Sequence, residues 1–217
     1  RLKSRKHSRH RPSSNAHTVK TLKSYNDVKV VLASGSPRRK ELLREIFPEF
    51  TISVNDAPEK KIGRFPSKLV TDNAREKAMA SDALDALVVA ADTVVFMDGR
   101  YFLKPKDEND ATEMLKTLSN RTHFVYTGVA LRFNEKITTF YVVSKVKMKN
   151  LSSDTIKEYV ATGSPLDKAG SYGIQDDVVV AGYSGSFSNI MGLPVEETAV
   201  RIDEFLRSIY GTHGTCR

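Results

Sequence analysis

What this sequence lacks narrows its chemistry first. It has one cysteine, Cys216, so no disulfide can form within the chain and a multi-cysteine zinc site is excluded. No apolar run approaches the roughly 20 residues that span a bilayer as a helix. The phosphate loop GxxxxGK[ST], a GxGxxG turn after a strand and the zinc motif HExxH are all missing. Of five histidines, His7, His10, His17 and His213 lie near the ends, and only His123 lies inside the body. A Ser-His-Asp triad would depend on that residue alone, and a three-histidine metal site is excluded.

Acidic residues are absent from residues 1–26, which carry eight Lys/Arg. Those eight account for the whole net charge of +8, so the remaining chain is balanced. Basicity therefore belongs to a tail, and it gives no warrant for a nucleic-acid-binding fold. Nucleic-acid affinity is expected only through that tail. Residues 1–26 lack hydrophobic periodicity and are expected to be disordered. They have no apolar core of a secretory signal, which favours a cytoplasmic protein. A nuclear or organellar address in the basic, Ser-containing tail stays open. Residues 27–210 read as one domain, followed by a short tail at 211–217.

From residue 28 strand and helix patterns alternate. Strands are expected at 28–33, 50–54, 86–97, 100–103, 122–133, 136–149 and within "DVVVAG" (177–182). Helices are expected at 37–47, 66–84, 107–120, 152–163 and 194–210, several with a proline at the first position or a Ser/Asp cap. Turns at "DG" (98–99) and "NEK" (134–136) make hairpins. The fold class is α/β: a single domain of two lobes around a cleft, with a mixed, twisted sheet.

The chemistry left to such a chain is that of carboxylates, hydroxyls, lysines and arginines, which suits hard cations and phosphate. Asp92 lies in the apolar run "VVAADTVV", where an acid is costly unless it pairs or binds a cation. It either caps a turn interrupting the strand or is a functional carboxylate. "NAREKAMA" puts Arg75 and Glu76 on a solvated helix face and leaves Lys77 undecided. Lys104 precedes a proline in "LKPKD", which holds it extended, and taken alone it reads as a loop lysine. In "VVLASGSPRRKELL" two arginines enter the first turn of a helix, the end that already carries partial positive charge. Either they point into water or an anion meets them.

Together "LASGSPRRKELL", "AREKA", "VVAADTVV", "LKPKD", "LSNRTHFVYTGVAL", "LDKAGSYGIQ" and "IMGLPVEE" resemble the Maf family of nucleoside triphosphate pyrophosphatases. The resemblance runs from 28 to 206 in the family's order and spacing. It implies a fold like that of inosine-triphosphate pyrophosphatases and cleavage between the α and β phosphates. It also implies a divalent cofactor, Mg²⁺ or Mn²⁺, and a homodimer.

By position, Asp92 matches the family's catalytic proton acceptor. Lys77 and Lys104 match phosphate-facing lysines, and Ser34, Ser36 and Arg39 match the motif lining the triphosphate. Arg38, Thr93 and Gln175 match positions that set substrate choice, and "SPRR" with "GSYGIQ" resembles the dTTP/UTP branch rather than the 7-methyl-GTP branch. A glutamine amide suits a uracil or thymine edge, since it both donates and accepts. Glu59 and Asp92 are the metal-ligand candidates. Three positions depart from the pattern: Ala90 and Asp176 stand where glycine is usual, and Pro58 where a glutamate is frequent. The competing reading is a catalytically weakened regulator, binding nucleotide or protein on the same fold.

Overall fold

The computed structural model describes residues 27–54 and 56–211. The tail 1–26, Asn55, residues 212–217 and with them Cys216 and four of the five histidines lie outside the described residues. In chain order the elements are β1 (Lys29–Leu32), α1 (Pro37–Arg44), β2 (Thr51–Ile52), α2 (Pro66–Met79), β3 (Ala86–Met97) and β4 (Arg100–Phe102). Then come α3 (Glu108–Leu118), β5 (Thr122–Phe133), β6 (Lys136–Met148) and α4 (Ser153–Ala161). Three 3₁₀ turns (Ser164–Asp167, Ala169–Ser171, Ile174–Asp176), β7 (Val180–Ser184), α5 (Phe187–Met191) and α6 (Val195–Tyr210) complete it.

The strands form one seven-stranded mixed sheet in the order β2-β1-β3-β5-β6-β7, with β4 also on β3. β1 runs parallel to β2 and β3, and all the other pairs are antiparallel, two of them (β3–β4 and β5–β6) as hairpins. Side chains of β3 alternate between two faces, as a strand buried on both sides requires. Leu87, Val89 and Ala91 pack with α1 and α6, while Ala86, Val88 and Ala90 pack with Ala74 and Ala78 of α2. A further cluster joins the far ends of β3, β5 and β6 to α3 and α4.

Two features of this sheet create a site. First, β1 pairs with β3 only as far as Val89, and β4 pairs with it only from Val95. Between them the edge of β3 has neither partner, and Asp92, Thr93 and Val94 line a cleft there instead. Second, α2 lies almost on the sheet. Gly128 of β5 pairs with Asp92, and a Cβ at Gly128 would sit 2.4 Å from the Val70 backbone carbonyl carbon. Only glycine allows that approach, and it brings α2 down onto the acid.

Some expected boundaries move. α1 stops at Arg44, the second strand shortens to Thr51–Ile52, and the strand near 180 is shifted to Val180–Ser184. α2 ends at Met79, not 84, because buried Arg132 of β5 takes the carbonyls of Ala78, Ser81 and Ala83 at 2.9, 2.7 and 3.1 Å. Those groups would otherwise be orphans at a helix end. α5 was not expected. It is five residues long, opened by the Ser186 side chain on Asn189 N–H and closed by left-handed Gly192.

Candidate active site

The cleft has a volume of about 490 Å³ and is lined from α1, the 59–61 loop, α2, β3, the 103–106 segment, the 3₁₀ turns and Gly192. Eight lysines and arginines line it against four carboxylates, so it presents a net positive field to an anion. Ser36, Arg38, Arg39, Glu59, Lys77, Asp92, Thr93, Lys104 and Gln175 all reach it. Ser34 sits behind the wall, where its hydroxyl accepts from Ser36 N–H and from Arg39, each at 3.3 Å.

Asp92 is 8 % exposed and sits inside an unbroken strand, so the turn-capping reading of it fails. Its carboxylate is met from α2. Lys77 Nζ donates to Oδ1 and Asn73 Nδ2 donates to Oδ2, both at 2.8 Å. Residues 73 and 77 are one helical turn apart, so one face delivers both donors. Lys77 also contacts Glu59 at 2.7 Å. Arg75 and Glu76 are exposed, as the sequence implied.

The two arginines of α1 part company. Arg39 turns inward: Nε donates to the Gly192 carbonyl at 2.9 Å and Nη2 to Thr93 Oγ1 at 3.1 Å. Thr93 continues to Thr127, which donates to the Asn189 carbonyl. Burial lowers the Arg39 pKa, and the Asp92 charge opposes that shift. Arg38 reaches outward to Asp167, 2.9 Å away, and Asp167 also holds Lys168 at 2.9 Å.

His123 belongs to no triad. It is fully buried, and Nε2 shares a 2.7 Å hydrogen bond with Tyr172. Burial pulls its pKa down to about 4.

A divalent metal would find two carboxylates here, Glu59 and Asp92. The Lys77 ammonium lies within 2.8 Å of carboxylate oxygens from both Glu59 and Asp92, so the two acids converge on a point that this ammonium holds and that a metal could share only by displacing it. Among the described residues no group of three or more acidic, His or Cys side chains is placed to hold a metal. Two carboxylates completed by phosphate oxygens and water is the arrangement Mg²⁺ commonly uses.

A family model described as Maf-like protein matches residues 29–205. This chain belongs to the Maf family. Over 183 residues the Maf chain is 43% identical to the dTTP/UTP pyrophosphatase of Bacillus cereus (strain B4264), covering 82% of this chain and 95% of that protein. It is also 43% identical over 185 residues to the dTTP/UTP pyrophosphatase of Dictyoglomus turgidum (strain DSM 6724 / Z-1310), covering 82% and 94%.

The departures of this Maf chain acquire a structural meaning. Asp176 turns away from the cleft, where Oδ2 accepts from Tyr159 at 2.5 Å and from Ser164 at 2.8 Å. Burial, and then Asp176 itself, raise the Tyr159 phenol above its ordinary pKa. Gly173 N–H donates to the same phenol oxygen, so Asp176 helps tie down the turn carrying Gln175. Sequence reasoning missed Asn73, Asp167 and Lys168. For Asn73 a signal existed: it is a polar residue on the same helix face as Leu69, Val70 and Ala74, all buried.

Proposed function

We propose that this chain is a nucleoside triphosphate pyrophosphatase that hydrolyses dTTP and UTP to the monophosphate and pyrophosphate. The observation that carries the reading is Asp92: a buried carboxylate at a gap in the sheet, facing a cationic cleft. The names of the relatives supply the nucleotides. In this reading the cleft separates two lobes of an inosine-triphosphate-pyrophosphatase-like domain spanning 27–210, and the protein acts in the cytoplasm as a homodimer.

The reaction proceeds by attack of a water oxygen on the α-phosphorus. Asp92 takes the water's proton, and the bond from the α-phosphorus to the bridging oxygen breaks, releasing pyrophosphate. Lys77 and Lys104 face the phosphates and offset charge as it moves toward the leaving group. Ser36 and the N-terminus of α1 add donors to the phosphate site. Arg39 contributes its field and holds Thr93 and Gly192 in place, while Arg38, Thr93 and Gln175 select the base. Glu59 and Asp92 are the residues that would hold Mg²⁺ or Mn²⁺, and the ion would supply charge neutralisation at the phosphates.

The weakened-regulator reading leaned on Asp176 and Pro58, and of these the Asp176 carboxylate is occupied by Tyr159 and Ser164 rather than aimed at substrate. The deciding experiment incubates the protein with Mg²⁺ and a panel of nucleoside triphosphates and measures both pyrophosphate and orthophosphate. Pyrophosphate from dTTP and UTP supports the proposal. Orthophosphate alone, or no product from any nucleotide, refutes it.

A further inference from the structure

Asn73 is 3 % exposed, and its side chain makes three hydrogen bonds in two directions. Toward the sheet, Nδ2 donates to Asp92 Oδ2 at 2.8 Å. Toward the loop, Nδ2 donates to the Lys60 carbonyl at 2.8 Å and Oδ1 accepts from Lys60 N–H at 2.9 Å. The amide orientation follows from chemistry, since turning it over would set an oxygen against a carboxylate and against a carbonyl. The geometry points to Asn73 as a positioning residue that locks the 59–61 loop to the Asp92 carboxylate.

The lock spans two parts of the cleft that no covalent neighbourhood joins. Asp92 belongs to β3, and Glu59, Lys60 and Lys61 belong to an exposed loop without regular secondary structure. All four line the cleft. The loop's own tie to Asp92 runs through Lys77, which bridges Asp92 to a Glu59 side chain that is 56% exposed. An exposed ion pair holds a loop weakly. The paired backbone hydrogen bonds to Lys60, made by a buried amide, are the firmer tie. They also explain why a polar residue stands at that place on α2. Asn73 fixes which way the Asp92 carboxylate faces, and it sets the loop cations opposite that carboxylate.

The inference rests on the proposed pyrophosphatase activity, so its test carries one readout that needs no turnover. Asn73→Leu keeps the number and branching of the side-chain heavy atoms and removes all three bonds, while Asn73→Asp keeps the acceptor for Lys60 N–H and removes both donors. In each variant kcat for dTTP is expected to fall about tenfold to hundredfold, the range for a reacting group displaced by about 1 Å. KM is expected to stay within about threefold, because Lys104 and Arg38 reach substrate without Asn73. Independently, trypsin is expected to cut Asn73→Leu after Lys60 and Lys61 at least severalfold faster than the unmodified protein. Unchanged cleavage overturns the lock whether or not the protein turns over nucleotide. A kcat within threefold of the unmodified enzyme overturns the positioning role and leaves the activity standing. Absence of pyrophosphate from the unmodified protein overturns the activity, with the cleavage rates still deciding the lock.

Discussion

Gly128→Ala tests the way this fold sets its acid. The added Cβ would stand 2.4 Å from the Val70 carbonyl carbon, 2.5 Å from its oxygen and 2.6 Å from Thr71 N. All three are backbone atoms, so no side chain can swing aside. Restoring ordinary contact requires α2 and β5 to separate by about 1 Å. Asn73 and Lys77, three and seven residues beyond Val70, move with the helix. Their 2.8 Å bonds to Asp92 would stretch beyond hydrogen-bond range. Overpacking of this kind costs about 1–3 kcal/mol, which in a domain of this size lowers Tm by roughly 2–12 °C. Loss of alignment at the reacting group is expected to lower kcat about a hundredfold. The assay pairs thermal denaturation with pyrophosphate release from dTTP at saturating substrate. If Gly128→Ala melts within 1 °C of the parent and retains kcat within a factor of two, the close approach of α2 is not what positions Asp92.

Other expectations follow from the same geometry. Asp92→Asn should fold and keep nucleotide affinity while pyrophosphate release falls about 10²–10⁴-fold; undiminished turnover removes Asp92 as the proton acceptor. Arg38→Ala should narrow the preference for dTTP and UTP over other triphosphates in a competition assay, and an unchanged ranking would assign base choice elsewhere. Asp167→Asn releases Arg38 from the carboxylate it pairs with, and tighter substrate binding, read as a lower KM, is the expected sign. Stability should depend on pH through His123. Its folded pKa, about 4, lies below the ordinary 6.5, so the unfolded chain takes up the proton first as pH falls. Stability therefore rises with pH from about 4 to 6.5, by roughly 3 kcal/mol across the window. Urea unfolding at several pH values measures that slope, and a His123→Gln protein with the same slope would show that another group is responsible.

The elements legible in the sequence are those specified locally. β3 and β5 fall at Ala86–Met97 and Thr122–Phe133, as their apolar runs indicate. The hairpin turn between β3 and β4 is made by left-handed Asp98 and Gly99, residue types that tolerate that conformation. What is not legible is set by distant partners. The end of α2 depends on Arg132, about fifty residues away, whose charge is buried to satisfy backbone carbonyls. α5 is too short for a helical period to show. The candidate site divides the same way. Asp92 stands out as an acid in an apolar run, but nothing local says that Asn73 is its partner. The pairing is made by the small residue at 128, which decides how closely helix and sheet can approach.

The two arginines at the start of α1 follow from weighing small energies. A cation in the first turn of a helix loses about 0.3–1 kcal/mol to the helix dipole. Arg39 sets against this its hydrogen bonds to Gly192 and Thr93, about 1.5–3 kcal/mol each from a charged donor, while its burial, which lowers its pKa, works the other way. Its donors are largely committed before any anion arrives. Arg38 is different. Its partner Asp167 is 59% exposed, and such a pair contributes about 0–1 kcal/mol, little more than the dipole takes away. Arg38 is held in place but not strongly held, so giving up Asp167 for another anion would cost little. The firmly bonded arginine shapes the wall of the cleft, and the loosely paired one is the one an entering anion could recruit.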